Sequence, residues 1–213
     1  MIGIIIEARV GSTRFPNKVL SKINGISMIE IIIDRLKMIP FRKKIIIATT
    51  KKKEDDILEQ IAKKNKINFF RGSTNNVLQR VLFAAEKFKI KTIVEICGDC
   101  PLLDPVIITK QIKIFKNNIT LDYVGSNLKK TFPIGSDAKV FSTKALSRVN
   151  KSKITKADRE NVSLFIYENP KKFSLKIFKA KKKLYRPDLP LIVDYKKDIQ
   201  AIEKIFQNLG KNK

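Results

Sequence analysis

The sequence predicts an α/β protein with a mostly parallel, doubly wound sheet. Three observations carry that expectation. Over the first 120 residues, short β-branched runs alternate with amphipathic stretches. The runs have almost no polar interruption, as parallel strands buried on both faces do. The stretches between them open on residues that cap helices. With 213 residues and 43% hydrophobic content, the chain can build one sizeable core, and wholesale disorder is excluded.

Ile2 to Ile6, Ile45 to Ala48 and Thr92 to Ile96 are the expected strands. Ser27 and Glu30 have capping-box spacing and open a helix running to about Met38. Thr50 can cap a helix that extends through Glu54, Asp55 and Asp56 to Lys64, with its acids where the dipole favours them. Asn75 or Asn76 starts a third helix, with Val77, Leu78, Val81, Leu82 and Ala85 on one face. Pro105 begins a fourth, ending near Phe115. Phe69 and Phe70 end a further strand, before Arg71. Beyond that the pattern loosens. Thr131 to Val140 reads as a loop leading into a strand, Asp158 to Glu168 as one helix, and Phe173 to Phe178 and Leu191 to Asp194 as strands, with Lys196 to Leu209 as the last helix. The expected organisation is a single domain over residues 1–213, with an arm-like insertion at about 131–185.

A formal net charge of +25 invites a nucleic-acid reading. Only nine of the 45 basic residues are Arg, and the Lys are scattered rather than interleaved with aromatics as in nucleic-acid readers. The field suits an anionic small substrate instead. No apolar run is long enough to span a membrane, and the start, Met1 to Glu7, lacks a basic region and a cleavage site, so a cytoplasmic enzyme is expected. Two cysteines and no histidine exclude a disulfide scaffold, histidine-base catalysis and almost any structural zinc site.

The loop after the first strand, Ala8-Arg9-Val10-Gly11-Ser12-Thr13-Arg14-Phe15-Pro16-Asn17-Lys18, carries the clearest chemistry. Ligands of open α/β sheets bind outside the carboxyl ends of strands. A glycine there lets backbone N–H groups approach, arginines grip phosphate oxygens in pairs and a lysine supplies a point charge. The loop is neither a Walker A loop nor a G-x-G-x-x-G turn, and the competing reading is an ordinary basic surface loop. Asp99 also follows a buried strand, where a carboxylate can hold Mg²⁺, and Asp194 can supply a second one. For Asp99 the alternative is a turn or cap, and for Asp104, directly before Pro105, capping is the favoured reading. Cys97-Gly98-Asp99-Cys100 has C-x-x-C spacing, but it follows a strand and precedes Pro101, which disfavours redox chemistry.

The pattern Ala-Arg-x-Gly-Ser-x-Arg-x-Pro-x-Lys resembles the signature of sugar-acid cytidylyltransferases, the CMP-Kdo and CMP-sialate synthetase relatives, and most closely the spore-coat polysaccharide SpsF-like group. Ile46 to Thr50 with Glu54-Asp55-Asp56, Phe70-Arg71-Gly72-Ser73 with Val77 to Arg80, Gly98 to Pro105, Phe132-Pro133-x-Gly135-x-Asp137, Arg159-Glu160, Tyr167 to Pro170 and Val193-Asp194 follow in the group's order. The chain departs from the group at Asn76 and Gln79, where relatives carry acids, at Asn161 for a histidine and at Pro190 for an arginine. The resemblance implies nucleotide contacts from Ala8, Arg9, Gly11, Ser12, Arg14, Lys18, Arg71 and Arg80, with Arg9, Lys18 and Asp99 catalytic. It implies a sheet of the nucleotide-diphospho-sugar transferase (GT-A-like) kind, Mg²⁺ on Asp99 and Asp194, acceptor-sugar contacts from Asp137, Arg159 and Glu160, and allows a homodimer built through the arm.

The expected reaction is transfer of CMP from CTP to a 3-deoxy-ulosonic or nonulosonic sugar acid, with release of pyrophosphate, in cell-surface polysaccharide biosynthesis. The proton acceptor would be a metal-bound hydroxyl, a carboxylate or water. Two alternatives stand beside it. One is a nucleotide-sugar-dependent glycosyltransferase, which would normally show an Asp-x-Asp pair where this chain has Gly98-Asp99-Cys100-Pro101. The other is a non-catalytic RNA-binding module, motivated by the charge alone.

Overall fold

The computed structural model describes residues 1–41, 44–126 and 128–209. The first half runs β1 (Ile2–Glu7), β2 (Lys22–Ile23), β3 (Ile26–Ser27), α1 (Met28–Lys37), β4 (Lys44–Thr50), α2 (Asp56–Lys64), β5 (Asn68–Gly72), α3 (Val77–Lys87) and β6 (Thr92–Cys97). The second half runs α4 (Pro105–Lys116), β7 (Tyr123–Gly125), β8 (Lys139–Ser142), α5 (Thr143–Asn150), α6 (Lys156–Glu160), α7 (Leu164–Glu168), β9 (Leu175–Ile177) and α8 (Lys196–Leu209).

Seven strands form one sheet in the order β5-β4-β1-β6-β8-β7-β9. β5, β4, β1 and β6 are parallel neighbours, whereas β8 lies antiparallel to both β6 and β7. The strand alternation of β1 divides the interior between two faces. Ile4 and Ile6 enter a core with Ile29, Ile32 and Leu36 of α1, while Ile5 enters a second core with Leu78 and Val81 of α3. All three isoleucines are fully buried. β2 and β3 form a separate hairpin whose two-residue turn, Asn24-Gly25, takes φ 48° and 85°, the left-handed geometry that Asn-Gly supplies at little cost.

Several expected boundaries hold at the level of single hydrogen bonds. Asn76 caps α3 by accepting from the Gln79 amide at 2.9 Å. Asp104 caps α4 by accepting from the amides of Val106 and Ile107, as its preferred reading required. Elsewhere the structure differs. The Ser27 hydroxyl donates to the Glu30 carboxylate at 2.6 Å rather than capping a backbone amide of α1. Thr50 does not start α2, because its hydroxyl donates to the buried Asp55 carboxylate and a short 3-10 turn intervenes. The helix expected over Asp158 to Glu168 is broken into α6 and α7 around Asn161, whose backbone leaves helical geometry while Val162 drops into the core. Leu191 to Asp194 is not a strand. Pro190 makes one isolated bridge to Ile134, and the stretch is held by the Leu191 amide donating to Ile134 O and the Val193 amide donating to Asp99 O.

The segment expected as an arm, 131–185, supplies β8 and β9 to the sheet and α5 to its face against α3. No helix among the described residues is long and apolar enough to cross a membrane.

Because Ile5 sits in the central strand with no exposed surface, Ile5→Ala should cost about 2–5 kcal/mol of unfolding free energy. Urea unfolding followed by circular dichroism measures it, and a loss well under 1 kcal/mol would mean that this face of the sheet is loosely packed.

Candidate active site

Parallel pairing brings the ends of β1, β4 and β6 to one edge of the sheet, and the loops that leave there meet. The loop after β1 is anchored at several points. The Ala8 amide donates to Ala48 O at 3.3 Å, and the Val10 amide donates to Asp55 Oδ1 at 2.7 Å. Asn17 takes a left-handed φ of 59° and starts the short 3-10 turn that carries Lys18. Gly98 after β6 lies close against the β1 exit: its amide donates to Glu7 O at 3.0 Å, and a Cβ there would meet that same oxygen at 3.0 Å.

These contacts enclose a cleft of about 670 Å³. Of the residues expected to bind nucleotide, Ala8, Arg9, Ser12, Arg14, Lys18 and Arg80 line it, as do Asp99, Arg159 and Glu160. Lys18 is its focal point. Its ammonium donates to Asp99 Oδ2 at 2.8 Å, to Val193 O at 3.2 Å and to Asp194 Oδ1 at 3.5 Å. Arg14 adds a 2.9 Å ion pair to the same Asp194 oxygen and lies over the Tyr195 ring. Loop and carboxylates therefore converge as the sequence suggested.

Arg80 is almost wholly buried in α3. Its Nη1 donates to Ser73 O at 2.8 Å, while its Nε has no partner among the described residues. Burial lowers the pKa of its guanidinium, with Glu7 opposing and Arg9 adding to the shift. It remains a cation, one whose charge water screens poorly.

Three of the expected placements differ. Arg71 does not line the cleft. Its guanidinium donates to Thr50 O at 2.9 Å and Lys52 O at 2.7 Å and pairs with Asp56, so the acids and carbonyls at the start of α2 hold it at the sheet's edge. Gly11 is not among the lining residues either; the nearest group to a Cβ there would be the carboxylate tip of Glu54, from the turn before α2. The three acceptor candidates do not come together. Arg159 and Glu160 line the large cleft, while Asp137 lines a second cavity of about 290 Å³, where its carboxylate accepts from Ser126 Oγ at 2.6 Å. Burial raises the pKa of Asp137, and the Ser126 hydrogen bond opposes that rise.

The structure also shows groups that the sequence did not single out. Asp55 is fully buried and ties the β1 loop to Thr50. Glu7, Glu95 and Cys97 bring ligand atoms within 4.8 Å of one another, and Lys139 lies beside them with Nζ 2.6 Å from Glu95 Oε1. Burial, with Cys97 and Glu95 nearby, raises the Glu7 pKa well above the carboxylate range. Burial works against the Lys139 charge, but Glu95, Cys97 and Glu7 outweigh it and raise that pKa. Strand alternation was the available signal, since Glu95 and Cys97 share a face of β6. Cys97 and Cys100 are both free thiols, and the hydrogen bond that Cys97 donates to Cys100, together with burial, raises the Cys97 pKa.

Comparison with known proteins gives a consistent picture. A family model described as cytidylyltransferase matches residues 3–209. The spore coat polysaccharide biosynthesis protein SpsF of Bacillus subtilis (strain 168) is 29% identical over 212 residues, covering 97% of this chain and 86% of that protein. A cytidylyltransferase structure from Leptospira borgpetersenii serovar Hardjo-bovis superposes with a TM-score of 0.91 at 30% identity, covering 97% of this chain and 87% of that one. The structure of CMP:2-keto-3-deoxy-manno-octonic acid synthetase complexed with CTP superposes with a TM-score of 0.75 over 98% of this chain and 99% of that one. At 14% identity, that second likeness is one of fold.

Asp55→Ala would leave the Val10 amide unmet beneath the loop. The expected cost is about 1–3 kcal/mol of stability, read from urea unfolding, and an unchanged midpoint would remove Asp55 from its anchoring role.

Proposed function

The chain belongs to the cytidylyltransferase family and is a nucleotidyltransferase; on that premise we propose that it transfers CMP from CTP to a sugar acid, releasing pyrophosphate, in cell-surface polysaccharide biosynthesis in the cytoplasm. The observation that carries this reading is the meeting of Lys18 with Asp99 and Asp194 in a cleft lined by Arg9, Arg14 and Arg80. A sugar hydroxyl attacks the α-phosphorus, the bond to the bridging oxygen breaks, and pyrophosphate departs with the electron pair. Such chemistry is mostly positioning and charge neutralisation.

The residues divide that work by reach. Arg9 and Arg14 are largely exposed on the loop and can close on phosphate oxygens in the paired geometry that guanidinium favours. Arg80 is fixed and desolvated, so its charge acts on a bound phosphate without needing to be ordered first. Lys18 offers a compact charge where negative charge grows on the leaving group.

The donor set suits Mg²⁺. Asp99 and Asp194 are hard oxygen donors that already converge on a single cation, the Lys18 ammonium. Those two aspartates would hold the ion, and Mg²⁺ when bound would neutralise phosphate charge and polarise the reacting phosphoryl group. Lys18, freed from both carboxylates, would then turn its donors to the triphosphate.

Two measurements test the reading. Purified protein with CTP, Mg²⁺ and a panel of 3-deoxy and nonulosonic sugar acids should release pyrophosphate, and chelation should stop it. Silence across a broad panel, with no CTP binding by calorimetry, would defeat the proposal. Asp99→Asn should abolish turnover with little change in melting temperature, because the amide oxygen still accepts from Lys18 and Asp194 still holds its charge. Lys18→Ala should lower kcat by about 10²–10³, the effect of losing a charge contact made mainly in the transition state. An Asp99→Asn protein that turns over normally but melts early would make that aspartate structural.

A further inference from the structure

The second cavity shares Cys97 and Asp99 with the nucleotide cleft, so the two spaces meet at the proposed reacting centre. Glu95 and Lys139 are also among its lining residues, directly opposite each other across β6 and β8. Their ion pair is incompletely used. An ammonium has three donors, and among the described residues Lys139 directs one of them to Glu95. Glu95 is 2% exposed, and its Oε2 has no hydrogen-bond partner there. A buried acceptor left unmet is costly, which marks the place as one awaiting a donor. Phe132, Ile134 and Ile192 give the same cavity apolar surface, and Phe132 is stacked on Phe178 with centroids 5.1 Å apart.

We propose that this cavity receives the far end of the acceptor sugar, and that the Glu95–Lys139 pair selects an end that is neutral yet both donates and accepts hydrogen bonds, such as a diol or an acylamino group. The proposal rests on the nucleotidyl-transfer reading of the large cleft. Its chemistry follows from the pair's balance. A neutral donor–acceptor group satisfies Glu95 Oε2 with its proton and Lys139 with its oxygen. A second carboxylate would face Glu95, and an ammonium would face Lys139, so each charged end meets a repulsive partner. The apolar lining suits the C–H face of a sugar. Glu95 and Asp99 both line this cavity, Asp99 on the turn that follows β6, so an acceptor with its reacting hydroxyl at Asp99 can place its tail at the pair.

The test uses the intact protein with CTP, Mg²⁺ and 3-deoxy sugar acids of one chain length that differ only at the end remote from the carboxylate. Hydroxyl- and acetamido-ended acceptors should show KM values about tenfold below those of amino- and carboxylate-ended ones, with similar kcat. Glu95→Gln should narrow the penalty on the carboxylate-ended acceptor by about tenfold while leaving the CTP Kd from calorimetry unchanged. Because that substitution strips a buried lysine of its partner, the charge-exchanged double variant, Glu95→Lys with Lys139→Glu, is measured beside it and should keep the preference for neutral ends. Equal KM values across all ends, or a Glu95→Gln effect that falls equally on CTP, would overturn the assignment. So would CTP binding without turnover of any member. Loss of CTP binding in the wild type would instead bring down the reading on which the assignment rests.

Discussion

The ammonium of Lys18 holds the site together. Two carboxylates from segments 81 and 176 residues away in sequence approach it, joined by the carbonyl of Val193. Without a cation between them, two aspartates at a sheet edge would repel each other at short range. The lysine removes that repulsion, and the Val193 amide bond to Asp99 O fixes the second aspartate's approach through the backbone. Pro190 lets this stretch leave the sheet after a single bridge, so Asp194 arrives on an irregular segment rather than at the end of a strand. A regular eighth strand would have set its side chains by the pleat. The irregular segment sets them by what Asp99 and Lys18 require.

A second constraint comes from β8. Inserted antiparallel beside β6, it places Lys139 directly against Glu95 and carries Asp137 to the neighbouring cavity wall. The parallel half of the sheet builds the large cleft, and the antiparallel strand β8 contributes to the smaller cavity. The end of β6 belongs to both, which is why Cys97 and Asp99 face two spaces. The raised pKa of Glu7 fits the same arrangement: burial, Cys97 and Glu95 push it up, and Lys139 opposes them.

What could be read in the sequence follows the range of the interactions. Local chemistry was legible. Asn76 and Asp104 cap their helices because capping is decided within three residues, and the β-branched runs of β1, β4 and β6 became buried strands because nothing local competes with them. The placement of the loop from Arg9 to Lys18 at the sheet edge beside Asp99 was legible because both directly follow buried parallel strands. The pairings that reach across the fold were not. Whether Arg71 faces the cleft or the acids of α2 depends on how far α2 closes over β5, which no local pattern records. The same holds for Thr50, whose hydroxyl found Asp55 before it could cap a helix. That Asp137 lines a different cavity from Arg159 and Glu160 was not legible either, because it depends on where β8 places its neighbours across the fold.

The net charge of +25 points in the right direction but to the wrong residues. Scattered surface lysines raise the concentration of any anion near the protein and cannot choose among anions. Choice needs cations whose position is fixed and whose hydration has been removed. Arg80 meets both conditions: it is buried and held at Ser73 O, with an Nε that has no partner among the described residues. Lys18 meets them through its two carboxylates. The acids of the cleft are therefore part of its affinity for a polyanion, because they keep the few decisive cations in place until phosphate arrives. A surface built only to bind nucleic acid would have no use for Asp99 and Asp194 at that spot, where each would repel a phosphate backbone. Beside the basic loop they give the cleft two hard oxygen donors next to its cations, a combination that suits a metal-associated triphosphate better than a nucleic-acid backbone.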